Sequence, residues 1–260
     1  MASPWKSYLN RSLEHLRDRS AEVLRANPSR GHGEVLPLLS LKSQDDLQQF
    51  VVGCDADLVH GLELMGYSIG GKSTVNLDLG PESKGRFWGT LSSELHAGRR
   101  KEGVIERGGY AGMRSKQRTS LFGTRTWDTS LHDFLRLRVR SSGDGMRYFV
   151  NIQTDGPVRS DLFQHRLWLP APASEDAPHE WTDVLIPFSD FTLTNSGDLS
   201  AEQMEMLRSR VRTIGISVLG PREGRYELGI ESIDAVSLDP NGAESYGNLP
   251  QQKDVQGNLI

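Results

Sequence analysis

The string from Gly66 to Ser73, Gly-Tyr-Ser-Ile-Gly-Gly-Lys-Ser, matches the phosphate-loop pattern in which backbone amides and a lysine hold nucleotide phosphates. Such a site also needs a helix directly after the lysine, because the free N–H groups and the dipole of that helix face the phosphates. Here the next residues, Thr74 to Leu79, alternate between polar and apolar side chains, as a β-strand does. The string therefore favours a glycine-rich bend that leads into a strand, with nucleotide binding as the alternative.

A metal or catalytic site is the next possibility. Cys54, Asp55, Asp57 and His60 lie close together in the sequence, but they lack the paired Cys or His spacing of zinc sites. Two carboxylates at a suitable separation could hydrolyse glycosides, and the acidic residues considered for this role are Glu94, Asp128, Glu227 and Glu231. Sequence spacing does not give their separation. We predict no catalytic residue, no metal and no cofactor, and we do not expect an enzyme.

Three arginines alternate with three aliphatic residues from Leu135 to Arg140. A β-strand sends alternate side chains to opposite faces, so Arg136, Arg138 and Arg140 share one face. Like charges along a strand are unfavourable unless carboxylates of neighbouring strands or of a partner lie opposite them. The row therefore predicts either cross-strand ion pairs within the sheet or a partner-binding surface.

A second basic cluster consists of Arg114, Lys116, Arg118 and Arg125, which we interpret as a loop. Such a cluster is either a solvated surface or a contact for acidic protein or lipid headgroups. We take Arg114, Lys116 and Arg118, together with the three arginines of the predicted strand, as candidates for partner contact.

The composition limits the classes of protein to which the chain can belong. Its 260 residues carry a formal net charge of −4, so no overall positive field would attract nucleic acid. The single cysteine, Cys54, leaves no intramolecular disulfide and fits a reducing compartment. No run of 18 apolar residues occurs, so we expect peripheral rather than spanning attachment to any membrane.

Beyond residue 35 the apolar residues recur with a period of two, which is typical of strands with one face on a core. The parity of the apolar residues changes between Ile230 and Ile233, which predicts a β-bulge near Glu231 and Ser232. Glycine-rich turns at 142–145 and 220–224 separate several runs, and the pattern predicts an all-β sandwich. The clearest predicted strands are 74–79, 134–140, 148–153, 184–188 and 214–218.

Two helices are predicted beside the strands. Apolar residues from Trp5 to Leu24 recur with helical period, and this helix would dock either on the sandwich or on a partner. Acidic residues among its arginines argue against an import presequence, so we expect a mature or trimmed amino terminus. The second helix is inserted after Ser200, which forms a capping box with Gln203 and precedes an apolar stripe of Met204, Leu207 and Val211.

These patterns divide the chain into three parts. Residues 1–34 form the amino-terminal helix and linker, residues 35–240 form the β-sandwich, and residues 241–260 form an irregular tail because they lose all periodicity after Asp239 and Pro240.

Seven short strings between residues 45 and 238 add a different kind of information. They are SIGGKS at 68–73, GTLSSE at 89–94, GGYAGM at 108–113, LRVR at 137–140, VNI at 150–152, IPFSDF at 186–191 and LGIESI at 228–233. In this order and spacing they resemble the complex I intermediate-associated protein family, a thirty-kilodalton assembly factor of the mitochondrial respiratory enzyme.

The resemblance implies a galactose-binding-like jelly-roll β-sandwich of the kind that carbohydrate-binding modules also use. It implies a non-catalytic chaperone, located in the mitochondrial matrix and peripheral to the inner membrane. The implied partners are assembly intermediates of the complex I membrane arm and other assembly factors. In animals these include an acyl-CoA dehydrogenase homologue, and in fungi a larger intermediate-associated protein.

An alternative function is carbohydrate binding, since exposed aromatic rings can stack on sugar rings. The tryptophans considered for this role are Trp88, Trp127, Trp168 and Trp181.

Overall fold

A computed structural model describes residues 35–56, 71–94, 108–120, 123–156, 158, 160–169, 180–195 and 198–237. The amino-terminal helix predicted within residues 1–34 and the tail predicted for 241–260 lie outside these ranges, and so do residues 57–70, which include the first five residues of the phosphate-loop string.

Antiparallel strands make up nearly all of the described regular structure. Besides a four-residue helix, α1 at Gln44–Leu47, there are two short 3-10 helices, Phe188–Asp190 and Arg208–Arg210. The strands are β1 Leu36–Ser40, β2 Phe50–Cys54, β3 Thr74–Leu79, β4 Gly85–Leu91, β5 Tyr110–Ser115, β6 Arg118–Ser120, β7 Gly123–Arg125, β8 Phe134–Ser141, β9 Arg147–Thr154, β10 Asp161–Leu167, β11 Thr182–Pro187, β12 Thr192–Asn195, β13 Asp198–Leu199, β14 Val211–Leu219 and β15 Gly224–Val236.

Two sheets form a jelly-roll sandwich, as the sequence predicted. Sheet A has the order β11-β8-β15-β4-β3, and β1 pairs with β15 as a further strand. Sheet B has the order β13-β12-β10-β9-β14-β5-β2. A separate hairpin joins β6 to β7. The five strands predicted from the period-two pattern correspond to β3, β8, β9, β11 and β14, so that prediction is confirmed.

The core lies between the sheets because alternate residues of each strand point inward. In β8 the aliphatic residues Leu135, Leu137 and Val139 are buried, whereas the arginines between them are partly exposed.

Two tyrosines of the core are buried, and their hydroxyl groups hydrogen-bond polar partners. Tyr148 donates to the Asp144 carboxylate at 2.6 Å, and Tyr226 donates to the Thr74 carbonyl at 2.9 Å. Burial of both rings raises the pKa of their hydroxyl groups.

The predicted bulge in β15 is present. The register of β15 against β8 shifts between Ile230 and Ser232, so Glu231 is the extra residue. The carbonyl of Glu231 accepts a hydrogen bond from the Leu41 amide at 3.0 Å, just after β1. The bulge therefore keeps Leu228, Ile230, Ile233 and Ala235 buried despite their change of parity.

The helix predicted after Ser200 is wrong. Residues 200–207 form no helix, and β14 already begins at Val211, which exchanges backbone hydrogen bonds with Trp127. The Gln203 side chain does not complete a capping box. It bonds both the amide and the carbonyl of Leu193, at 2.8 and 3.0 Å, and so acts as a partner for β12. Met204 and Leu207 are exposed. The segment is rich in strong helix formers, so the contacts of Gln203 with Leu193 override a high local helical propensity.

A buried carboxylate connects the ends of several strands. Asp55, just after β2, is 1% exposed and accepts four hydrogen bonds. They come from the amide and the hydroxyl of Ser73, both at 3.0 Å, and from the amides of Gly109 and Tyr110, at 2.6 and 3.1 Å. Gly71 lies so close that a Cβ there would stand 2.2 Å from the Asp55 carboxyl carbon. One side chain therefore fixes the starts of β3 and β5.

We expect Asp55→Asn to lower the free energy of unfolding by about 3 kcal/mol, because its amide nitrogen would face backbone donors instead of accepting from them. Urea unfolding followed by tryptophan fluorescence measures this change. The control is Asp183→Asn, which removes a half-exposed ion pair and should cost less than about 1 kcal/mol. Equal losses in the two variants would contradict a special role for Asp55.

Candidate functional site

The arginine row of β8 pairs with carboxylates of three neighbouring segments. Arg136 contacts Asp234 of β15 at 2.9 Å, and Arg138 contacts Asp183 of β11 at 3.1 Å. Arg140 contacts Glu82, which lies in the turn between β3 and β4, at 2.6 Å. Arg136 and Arg138 therefore form the predicted cross-strand ion pairs, whereas Arg140 pairs with a turn. Partner binding by this row stays a prediction.

Two tryptophans extend this charge network over the outer face of sheet A. Trp181 lies against Gly229 of β15, where an added Cβ would come within 3.0 Å of the ring, and its indole nitrogen donates to Glu82 at 2.6 Å. Lys84 and Arg140 lie over the same ring, 4.2 and 5.1 Å from its centroid. Trp88 donates to Asp78 at 2.9 Å. These contacts occupy both tryptophans within the chain.

Hydrogen bonds on this face lower the pKa of three carboxyl groups. The Arg86 hydrogen bond lowers the pKa of Asp78, and the Lys84 hydrogen bond lowers the pKa of Glu231. The Trp181 hydrogen bond lowers the pKa of Glu82. Since each folded-state pKa lies below its unfolded value, these contacts stabilise the fold at neutral pH and are lost as the pH falls through the folded-state pKa values.

The other two tryptophans also carry a cation on the ring. The Arg118 guanidinium lies 3.4 Å from the ring centroid of Trp127, and that of Arg166 lies 3.6 Å from the ring centroid of Trp168. A sugar ring needs an open aromatic face for stacking. The Arg86 guanidinium lies 5.0 Å from the ring centroid of Trp88. Because cations lie over all four tryptophans considered for carbohydrate binding, their arrangement does not favour that role.

The second basic cluster is built mainly of strands rather than a loop. Arg114 is an exposed residue of β5, Arg118 begins β6, and Arg125 ends β7 directly opposite Arg118. Lys116 donates from its ammonium group to the Gln48 carbonyl at 2.7 Å. Among the described residues, no carboxylate forms an ion pair with Arg114 or Lys116. This distinguishes them from the arginines of β8.

The outer face of sheet B carries a polar ladder that the sequence analysis did not identify. The Gln164 side chain donates to Asn151 at 2.8 Å, and the Asn151 side chain donates to the Ser217 hydroxyl at 2.9 Å. The three residues belong to β10, β9 and β14, which are adjacent strands. Period-two alternation places each residue outside, but only the strand order brings them together.

The phosphate-loop string leads into a strand, as predicted. Lys72 forms an ion pair with Glu94, Ser73 hydrogen-bonds Asp55, and β3 begins at Thr74 where a nucleotide site would need a helix. Residues 66–70 of the same string also have the G-x-S-x-G spacing of a hydrolase nucleophile elbow, with Ser68 outside the described residues. An elbow likewise requires a helix after the turn, whereas this string is followed by β3.

The described residues contain no group of three or more His, Cys, Asp or Glu side chains that could hold a metal ion. Of the four residues weighed for metal binding, Asp57 and His60 lie outside the described ranges. Cys54 is buried, and its thiol donates a hydrogen bond to the Ser73 carbonyl at 3.0 Å. The Asp55 carboxylate accepts hydrogen bonds from backbone and serine donors. Within the described parts of the chain, no helix is long and apolar enough to cross a membrane.

Comparison with solved structures finds carbohydrate-binding modules. The family 11 module from Clostridium thermocellum, in complex with a mixed-linked tetrasaccharide, is 12% identical and has a TM-score of 0.49. The match covers 80% of this chain and 97% of that module. A likeness of this size says nothing about what the present chain binds.

Comparison with protein sequences finds closer relatives. The Neurospora crassa protein named Complex I intermediate-associated protein 30, mitochondrial, is 32% identical, over 90% of this chain and 85% of that protein. The Drosophila melanogaster protein of the same name is 33% identical, over 82% of this chain and 67% of that protein. The family model described as Complex I intermediate-associated protein 30 matches residues 65–230. The chain therefore belongs to the Complex I intermediate-associated protein 30 family.

Proposed function

We propose that this protein is a non-catalytic assembly factor of mitochondrial respiratory complex I. The observation that carries the proposal is family membership, since the family model covers residues 65–230 and relatives with this name match most of the chain. In this role the chain binds assembly intermediates of the membrane arm and other assembly factors. It acts in the mitochondrial matrix, peripheral to the inner membrane.

The chemistry of the surface supports binding rather than turnover. The candidate phosphate-loop lysine is engaged by Glu94, and the buried Asp55 carboxylate is saturated with backbone and serine donors. Both groups therefore have structural partners. Partner proteins are then bound by the outer surfaces of the sandwich, which carry charged and polar side chains.

Two sets of basic residues are the candidate contacts. In the first set, Arg114 lies on β5 of sheet B, Arg118 begins β6 of the separate hairpin, and Lys116 lies in the connection between these strands. The second set, Arg136, Arg138 and Arg140, lies on β8 and is already paired with carboxylates of the chain. An arginine paired within its own sheet has less to gain from an external carboxylate, so we place Arg114 and Lys116 ahead of the second set.

Native-gel electrophoresis tests the assembly role. In mitochondria lacking their own family member, the tagged full-length chain should co-migrate with partially built complex I and restore the mature complex. A folded, imported chain that runs only as the free protein and restores nothing would refute the proposal. Arg225→Gln serves as the control for tagging and expression, since Arg225 is exposed and belongs to neither set of candidate contacts.

A charge-reversal pair separates the two candidate surfaces. Arg114→Glu should leave the free energy of unfolding within about 0.5 kcal/mol, because Arg114 is exposed and its substitution breaks no ion pair with another described residue. It should nevertheless weaken capture of assembly intermediates by about tenfold, because it places a negative charge in the contact.

The matching variant exchanges the charges of one internal pair, Arg138→Asp together with Asp183→Arg. This exchange preserves the pair and relocates two surface charges, so we expect capture to stay within about twofold of wild type. A large loss in the exchange variant, with normal capture by Arg114→Glu, would move the contact to β8.

A further inference from the structure

The two outer faces of the sandwich differ in whether their cationic side chains have carboxylate partners on the same face. On sheet A the three arginines of β8, together with Lys84 and Arg86, form ion pairs with aspartates and glutamates of the chain. On sheet B none of the outward-facing residues of β5, β9, β10 and β14 is an aspartate or a glutamate. The outward cations of these strands therefore lack a carboxylate from their own face.

Strand register places the central residues of sheet B in two parallel rows. One row runs Gln164, Asn151, Gly215, Arg114 across β10, β9, β14 and β5. The next row runs Arg166, Phe149, Ser217, Gly112 across the same strands. Arg114 and Arg166 thus stand at opposite corners of this field. Three strand spacings and two residue steps separate them, about 16 Å between their backbones.

On β14 the field is low, whereas the neighbouring strand β9 adds the half-buried ring of Phe149 beside Asn151. β14 contributes only Gly215 and Ser217, and both are buried although they belong to the outer face. A Cβ at Gly215 would stand 2.4 Å from the Met113 carbonyl and 2.9 Å from the Arg114 Cβ, so a larger residue does not fit. The amides of Asn151 and Gln164 border this strip, and each can exchange hydrogen bonds with a peptide backbone.

The arginine at each corner can bind an anionic group of a partner. Arg114 is exposed and has no ion pair among the described residues. Arg166 is half-buried and lies over Trp168, and both burial and the nearby Arg147 lower its pKa. The positive charges of Arg147 and Arg166 repel each other. A carboxylate bound beside these two arginines is therefore stabilised.

We infer that the outer face of sheet B binds an extended, acidic segment of a partner protein, which lies across β10, β9, β14 and β5. The segment places one carboxylate on Arg114 and a second on Arg166, with its backbone over Asn151, Ser217 and Gly215. An extended chain with its two carboxylates at positions i and i+4, on one face, covers about 13 Å of this separation, and the glutamate and arginine side chains cover the rest. This inference rests on the proposed function and specifies the chemistry of the partner.

The test uses nuclear magnetic resonance on the isotope-labelled full-length chain. The probe is an acetylated, amidated nonapeptide with two glutamates four residues apart in a serine and threonine background. The matched peptide has glutamine at both positions. We expect the glutamate peptide to bind with Kd below about 1 mM at low salt. The largest shifts should occur at the side-chain amides of Asn151 and Gln164 and at the backbone of Gly112, Arg114 and Ser217.

Variants of the chain give the decisive comparison. Arg114→Glu and, separately, Arg166→Gln should weaken binding of the glutamate peptide by about tenfold. Arg225→Glu changes the net charge by the same amount as Arg114→Glu, on an exposed residue of β15 in the other sheet, and should leave binding within about twofold. Backbone spectra of each variant report directly whether the fold is kept.

Several results would overturn the inference. Equal affinity for the glutamine peptide would show that carboxylates are not recognised, and shifts confined to sheet A would place the site elsewhere. If phosphatidylglycerol vesicles, but not the peptide, perturb these residues, the face binds a membrane surface instead. A lack of peptide binding combined with normal co-migration on native gels would reject this site and leave the assembly role standing.

Discussion

The Asp55 carboxylate is the constraint on which the arrangement of the sheets depends. A buried charge is unfavourable unless donors surround it, and here two amides from the start of β5 and two groups of Ser73 do so. Because β2 and β5 belong to sheet B and β3 to sheet A, the same carboxylate connects both layers. Its neighbour Cys54 adds a thiol contact to the Ser73 carbonyl. The string that resembles a phosphate loop is thus the place where one sheet is tied to the other.

With the layers fixed in this way, the outer faces are free to differ. On sheet A the arginines form ion pairs with carboxylates of the same chain, and cationic side chains lie over the tryptophan rings. Sheet B keeps its hydrogen-bonding amides in a ladder and leaves Arg114 without a carboxylate among the described residues. For a protein whose proposed task is to hold others, the second face has more unused binding capacity.

Much of the fold follows from local patterns in the sequence. Alternation located β3, β8, β9, β11 and β14, and the parity change near Glu231 located the bulge, because both signals depend only on neighbouring residues. The helix after Ser200 failed for the opposite reason. Its three apolar residues fit a helical stripe, but Gln203 bonds Leu193 and Val211 pairs with Trp127, and neither partner is visible locally.

For the candidate surfaces, too, the sequence predicts what depends on neighbouring residues but not the contacts between distant segments. The sequence predicted that Arg136, Arg138 and Arg140 share a face, but their partners Asp234, Asp183 and Glu82 come from distant segments. The ladder on sheet B also requires residues from three strands. Burial of Asp55 had no sequence signal, since it stands among polar residues that resemble an ordinary loop.

The pairing of β1 with β15 has a consequence for biosynthesis. Leu36 lies opposite Ala235, so the first described strand meets the last, and β15 also separates β8 from β4 within its sheet. Contacts between residues so far apart in the chain form slowly, because a large loop must close before they are made. Sheet A therefore remains unfinished until the chain has emerged through Val236, and its apolar inner surface needs protection until then.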